Sequence, residues 1–393
     1  MIRYLTSGES HGPGLVGVVE GLPAGIEISS EYINRQLWRR QQGYGRGGRM
    51  RIESDTVEIL SGVRFGRTLG SPIALVVRNK DWMNWTEKMS VEGSGIGIEK
   101  ISTPRPGHAD LAGALKYGFD DLRNVIDRAS ARETAMRVAL CTVVRKFLET
   151  FGIFIGSHVL SIGPAAVQNR LSIDKLIGKL AVASNGGYNL AEEADKSEVR
   201  ILDKRVAEKA MKAIKAAKKK GDTLGGIFEV IVTGIPTGLG SYVEYDRKLD
   251  GQLAQAIVSI HAVKGVEIGN AFTNSTLFGS EVHDEILAGK NSRLVRPTNR
   301  AGGLEGGVTT GEMLVLHGAM KPISTLAKPL RSVNLKTMKI VPSRYERSDV
   351  CAVPACSVIA EAVVAPVLAN AFLEKFGGDS VSEIRKRYKN AKK

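Results

Sequence analysis

Two histidines stand in glycine-bounded turns where a ring nitrogen could act on a ligand. His11 lies in TSGESHGPGLVGV, after Glu9 and Ser10 and before Gly12, Pro13 and Gly14; His108 lies in TPRPGHADLAGALKYG, behind Arg105 and a Pro-Gly turn. An imidazole titrates near neutral pH and can give or take a proton, so each is a candidate acid or base; a loop histidine is also commonly structural. Neighbouring arginines lower a histidine's pKa unless an anion offsets them, so a bound phosphate beside His108 favours the acid form. His261, in SIHAVKG, raises the same question more weakly, and His158, His283 and His317 read as structural.

Arginine density is the strongest physical signal. Arg35, Arg39, Arg40, Arg46, Arg49 and Arg51 fall within seventeen residues that contain no lysine. Guanidinium forks bind phosphate and carboxylate bidentately and tolerate partial burial, whereas lysine serves equally well for solubility. Gly43, Gly45, Gly47 and Gly48 let this loop approach a ligand closely. A small-anion site and a solvated, RGG-like RNA contact both fit the segment. GYGRGG formally matches G-x-G-x-x-G, but it follows a helix pattern instead of a strand, which excludes a dinucleotide-binding reading. There is no G-x-x-x-x-G-K-[ST] loop either.

Three further segments carry candidate groups. In DRASARETAMRVAL, Ser130 and Glu133 have capping-box spacing at a helix start, with Arg128 and Arg132 beside it, so amides, dipole and guanidinium can converge on one anion. In VPSRYERSDVCAVPACS, Arg347, Ser348 and Asp349 precede a long helix; the aspartate is either an N-terminal cap or, facing a ligand, a base. AMKPISTLAKPL places Lys321, Ser324 and Thr325 after a strand, suited to an anionic group or to a surface turn.

These groups must be positioned by a mixture of strands and helices. LVGVVEGLPAGIEI predicts two short strands around a turn, and SSEYINRQLWRRQQG a helix capped by Ser29 or Ser30 and closed by Gly43. TVEIL and PIALVV read as strands, with FGRTLGS as a hairpin loop. Residues 107 to 152 read as helical in two segments divided near Asp127 to Ser130. The second half alternates IFIGSHVLSI, a basic helix over about 205 to 220, FEVIVTGIPTG, a helix and strand in GQLAQAIVSIHAVKGVEIG, and the glycine-rich NRAGGLEGGVTTG before EMLVLHGAM. A helix from Pro354 to Phe376 is expected to kink at Pro366. No repeat or linker divides the chain, so residues 1–393 read as one α+β unit, with about 380–393 a flexible basic tail.

Composition sets the remaining bounds. In 393 residues, 43% hydrophobic and 24% charged residues are ordinary for a globular chain, and 6% aromatics leave few surfaces for stacking bases. A formal charge of +14 calls for an anionic partner, which by sign alone is nucleic acid, a membrane surface or a phosphorylated small molecule. Cys141, Cys351 and Cys356 form no CxxC pair and no metal pattern with histidine, so free thiols in a reducing cytoplasm and no metal are expected. The N-terminus lacks an apolar signal region, and the run VIAEAVVAPVLANAF is interrupted by Glu361, Pro366 and Asn370, so neither secretion nor membrane spanning is expected.

GESHGPGLVGVVEG, RRQQGYGRGGRM, TPRPGHADL, DRASARETAMRVA, SIHAVKGVEIG, NRAGGLEGG, KPIST and RSDVCAVPA, in this order, resemble the chorismate synthase family from end to end. The resemblance implies a beta-alpha-beta sandwich, with helices between two antiparallel sheets, assembled as a homotetramer. It implies anti-1,4-elimination of phosphate from 5-enolpyruvylshikimate 3-phosphate to give chorismate, the last common step towards aromatic compounds. Reduced FMN is implied as cofactor without net redox change, with NADPH or an external flavin reductase as candidate source of electrons. By motif, His11 corresponds to the histidine at the reduced flavin, His108 to the acid near the leaving phosphate, and Asp349 to the carboxylate that assists flavin N5. Arg40, Arg46, Arg49, Arg105 and Arg132 correspond to substrate-holding groups, Arg40 and Arg46 also to a nicotinamide contact. Arg128, Ala129, Ser130, His261, Ala262, Gly306, Lys321, Pro322, Ile323, Ser324, Thr325 and Arg347 fall on flavin-contacting segments. Two departures stand out: Ala129 replaces a common serine, and His261 an asparagine or glutamine. Among arginines, His261 is expected to stay neutral. An RNA-binding protein, betrayed by steep salt dependence, and a reductase, betrayed by rapid NADPH oxidation, are the alternatives. The lysines of the 205 to 220 helix read as a solvated face.

Overall fold

In the strand Gly14–Glu20, Leu15, Gly17 and Val19 face inward while Val16 and Val18 face out. It pairs antiparallel with Arg3–Ser7 on one side and Ile73–Arg78 on the other, and Val57–Ile59 completes a four-stranded sheet. The computed structural model describes residues 1–47, 54–183, 185–289, 294–346 and 348–391. Arg49, Arg51 and Arg347 therefore lie outside the described residues. FGRTLGS forms part of a two-residue ladder, Val63–Arg64 against Arg67–Thr68, turned by Phe65 and Gly66 with φ of 48° and 70°. The second strand expected within 21–28 does not form. Pro23 has no N–H to donate, Gly21 and Gly25 have positive φ, and only isolated bridges at Ala24 and Glu27 remain.

A five-stranded antiparallel sheet takes the order Val263–Ile268, Leu314–Met320, Gly226–Thr233, Phe154–Ile162, Ala165–Ala166. The helix Thr134–Thr150, the central helix below, packs against strands of both sheets and against the long helix Val353–Phe376. Gly17 makes its approach feasible: a Cβ there would lie 2.5 Å from Leu140 Cδ1 and 2.7 Å from Met136 Cγ. Ser29 caps the helix Ser30–Gln41 by accepting from Tyr32 N, as the sequence predicts, and the chain leaves through Gln42 just before Gly43. The helix Val353–Phe376 continues through Pro366 and is long and apolar enough to cross a membrane. Yet 83% of its most apolar window is buried inside the protein, where it is the core.

Charge inside that core explains part of the arginine density. Glu361, fully buried on the long helix, accepts from Arg39 and Arg145 at 2.7 Å and from Ser157 at 2.6 Å, and pairs with Arg200 at 3.1 Å. Burial opposes its ionisation, but Arg39 and Arg145 outweigh burial and hold the carboxyl well below the usual range. Arg39 is thus a structural cation tying helices together, and Arg35 pairs with Glu192 at the surface. Neither joins an anion site.

The C-terminal residues differ from expectation as well. Val381–Ala391 is a helix; Ile384 is buried in the core, and Tyr388 packs on Phe151, Phe372 and Phe376. Its basic residues hid an i, i+4 apolar pair that docks it. The three cysteines are buried and free; burial pushes the Cys141 and Cys351 thiols up to about 12.

Candidate active site

The turn around His11 is closed by its glycines. Gly8 has φ of 107°, and a Cβ there would meet Gly14 O at 2.4 Å. The Asn79 amide donates to Gly12 O at 2.6 Å, and Ser10 N donates to Asp127 O at 2.9 Å. His11 Nδ1 then lies 2.5 Å from the buried Asp127 Oδ1, while Trp85 stacks on the ring at 3.8 Å between centroids. Arg123 sits over Trp85 and 3.6 Å from Asp127 Oδ2.

His108 repeats the arrangement. Its Nδ1 is 2.6 Å from Asp110 Oδ1, and Asp110, wholly buried, also accepts from Arg105 Nε at 2.8 Å and Nη2 at 3.0 Å. Burial opposes the charged carboxylate, but the hydrogen bonds from His108 and Arg105 prevail and hold Asp110 well below the usual carboxylate range. Arg105 Nη2 lies 3.1 Å from His108 Nδ1 and 3.3 Å from Nε2, so a guanidinium faces the ring nitrogen that Asp110 does not engage. The KPIST segment closes over this turn: Arg105 Nη1 donates to Thr325 Oγ1 at 3.1 Å, and Lys321 Nζ to Gly107 O at 2.6 Å. Ser324 lies against Gly107, and Ile323 O accepts from Thr223 Oγ1.

Arg40 and Arg132 share a buried carboxylate at the start of the central helix. Arg40 Nε donates to Thr134 Oγ1 and its Nη2 to Ala131 O, both at 2.9 Å. Its Nη1 lies 3.8 Å from Asp55 and has no hydrogen-bond partner among the described residues. Burial pulls the Arg40 pKa down to about 10, so the guanidinium remains charged at neutral pH. Arg132 Nη1 donates to Asp55 at 2.6 Å and its Nε to Asn79 at 3.0 Å, joining this group to the His11 turn. The capping box does not form as the spacing predicts. Ser130 accepts from Arg132 N, but Glu133 turns back to accept from Thr6 Oγ1 at 2.8 Å. Arg128 does not face the helix start; it donates to Gly8 O and Thr6 O. Ala129 packs on the apolar cluster of Ile101 and Val125.

Asp349 is not a helix cap. It accepts from Gly47 N at 2.6 Å and pairs with Arg46 at 3.0 Å, while Ala352 precedes the helix. A Cβ on Gly47 would meet Ser348 O at 2.9 Å. The same loop edges a cavity of about 830 Å³ walled also by Trp38, Lys215 and Lys218, so part of the lysine helix faces a cleft. His261 is largely buried, and its Nδ1 has no hydrogen-bond partner among the described residues. Burial lowers its pKa; Arg137, His108 and Arg40 add to this and Glu133 opposes it. Ala262 holds φ of 65° directly after it, and its carbonyl accepts from Lys321 N.

His11, Arg40, Arg105, His108, Ser130, Arg132, His261 and the 321–325 segment are thus joined by contacts or mutual electrostatics, and Arg46 with Asp349 forms a neighbouring pair. Gly306 stands apart, near Tyr242 and beside Gly307, which meets the start of the helix Leu249–Val258; His261 lies beyond that helix's other end. Sequence reasoning missed Asp55, Asn79, Trp85, Asp110 and Asp127. The H-A-D spacing at His108 signals Asp110; Asp55, Asn79 and Trp85 reach the site through tertiary folding alone.

Two imidazole–carboxylate pairs set beside buried arginines, on a mixed helix-and-sheet scaffold, have the makings of an enzyme for an anionic small molecule. A family profile described as chorismate synthase matches residues 2–373. Chorismate synthases from Chlorobium phaeovibrioides and Chloroherpeton thalassium are each 58% identical, over 98% and 99% of this chain and 96% and 98% of theirs. A crystal structure of a chorismate synthase superposes with a TM-score of 0.79 at 44% identity, covering 99% of this chain and 97% of that one. The chain belongs to the chorismate synthase family and is, with it, a lyase.

Proposed function

We propose that this pocket eliminates phosphate from 5-enolpyruvylshikimate 3-phosphate in the anti-1,4 sense to give chorismate, with reduced FMN bound and not consumed. The observation that carries this reading is His108, held at Nδ1 by Asp110 among Arg105, Lys321 and Thr325: an acid placed where a phosphate would find cations. Arg105 and Lys321 bind the phosphoryl group, and Arg40 and Arg132 the carboxylates, burial strengthening the attraction between each guanidinium and its anion. His108 passes its Nε2 proton to the departing phosphate oxygen, and Asp110 keeps the ring oriented through Nδ1.

The residues present suit a flavin phosphate and a polar ring edge. The Arg40 Nη1 and His261 Nδ1 atoms are buried donors or acceptors without protein partners among the described residues. When bound, reduced FMN supplies electron density transiently to the reacting system, which helps the carbon–oxygen bond to break. With the flavin bound, His11, oriented by Asp127, would supply a ring nitrogen for proton exchange, and Asp349, fixed by Arg46 and Gly47 N, would supply a carboxylate. The layered sandwich, a cytoplasmic homotetramer, and electrons from NADPH or an external reductase rest on the family likeness. Burial of Arg40, Arg105 and Arg132 favours a small ligand over an RNA backbone.

His108→Ala tests the role of the acid. Turnover is expected to fall by roughly 10²–10⁴, the usual contribution of general acid catalysis, with substrate affinity changed far less. Proportionate loss of kcat and binding would show that His108 merely holds the substrate.

A further inference from the structure

The C-terminal helix Val381–Ala391 is clamped more firmly than a solvating tail requires. Ala24 N donates to Asp379 O at 2.9 Å and Val381 N to Ala24 O at 3.0 Å, while Ile384 is buried in the core and Tyr388 enters the aromatic cluster. With that face fixed, Arg385, Lys386 and Lys389 wall a cavity of about 1180 Å³. The turn at Gly25, the end of the central helix at Lys146 and Glu149, and Tyr188 form its other sides.

The acids on the wall are already engaged. Glu27 pairs with Arg67 at 2.6 Å, and Glu149 accepts from Tyr32 Oη at 2.7 Å and Arg145 at 3.2 Å. Arg385, Lys386 and Lys389 have no ion pair among the described residues, so the wall carries a surplus of positive charge. Arg385 and Lys389, one turn apart on the helix, repel each other. A polyanion in the cavity relieves that repulsion. The catalytic pocket lies at the opposite end of the central helix, whose seventeen residues span about 25 Å at about 1.5 Å each.

We propose that this cavity is a second anion site, taking a small molecule with two or more phosphoryl groups, up to the size of a nucleoside polyphosphate. Three cations on one docked face, two of them lysine point charges on flexible stems, suit phosphoryl oxygens. The volume lies above the roughly 300–1,000 Å³ of ordinary ligand pockets, leaving room for a planar group near the Tyr32 and Tyr188 rings. A concave cleft walled by separate segments favours a small ligand over a polymer lying on a flat stripe.

Tripolyphosphate is the probe, titrated calorimetrically into the full chain at low ionic strength, with citrate in parallel and backbone hydrogen exchange to locate the contact. Binding is expected to slow exchange over residues 380–391. Arg385→Glu with Lys386→Glu is expected to weaken it by roughly tenfold or more and leave chorismate formation unchanged. Lys389→Glu, on the next turn, is an independent variant expected to act in the same direction. The site is disproved by absent binding, by protection confined to segments bearing Arg105 and Arg132, or by variants that bind as the unaltered protein does. Citrate binding as tightly as tripolyphosphate overturns the phosphoryl assignment.

Discussion

His108 and His261 show how burial and neighbours assign different work to the same side chain. Asp110 gives His108 a fixed ring orientation, whereas His261 has burial first, with Arg137 and Arg40 on the same side and Glu133 against. The neutral His261 foreseen from the arginine-rich surroundings agrees with its lowered pKa. Its folded pKa lies below the ordinary value of about 6.5, so the folded state binds fewer protons than the unfolded one beneath that pH. Stability relative to His261→Asn should therefore be constant above about pH 7 and decline as pH falls below about 6.5. Urea unfolding of both proteins at several pH values checks this; parallel pH profiles would contradict it.

At the scale of elements, the central helix carries Thr134 at its start and meets both sheets, so its seat governs the site. Gly17 provides that seat. Gly17→Val is expected to cost about 1–3 kcal/mol through overpacking against Leu140 and Met136, outweighing the up to about 1 kcal/mol a branched residue gains in a strand. An unchanged urea midpoint would show that the core yields there freely. Helix and strand periodicity was legible wherever one face alone is buried, as in Gly14–Glu20 and Ser30–Gln41. The Ser130–Glu133 capping box was misread because Thr6, more than a hundred residues away, captures the carboxylate. Asp349 was ambiguous for the same reason: whether it caps a helix or meets Gly47 N is decided by a loop distant in sequence.

For the whole molecule, arginine density was visible in the sequence, but its division was not. Arg39, Arg145 and Arg200 surround Glu361 in the core, Arg40 and Arg132 share Asp55 at the pocket, and Arg35 faces solvent. One residue type therefore serves core cohesion, the proposed ligand site and the surface, and only the partner's burial distinguishes them. The docked basic helix was likewise hidden, because Ile384 and Tyr388 form too short a pattern to outweigh the six cations of residues 385–393. The central claim is that this assembly removes phosphate from its substrate while its flavin acts as a true catalyst. The direct measurement is anaerobic incubation with about one reduced FMN per chain and excess 5-enolpyruvylshikimate 3-phosphate, following chorismate, phosphate and the flavin spectrum together. Chorismate and phosphate should accumulate in equal amounts, far beyond the flavin present, with the flavin still reduced at the end. Absence of both products, or flavin oxidised in step with each turnover, would contradict the account.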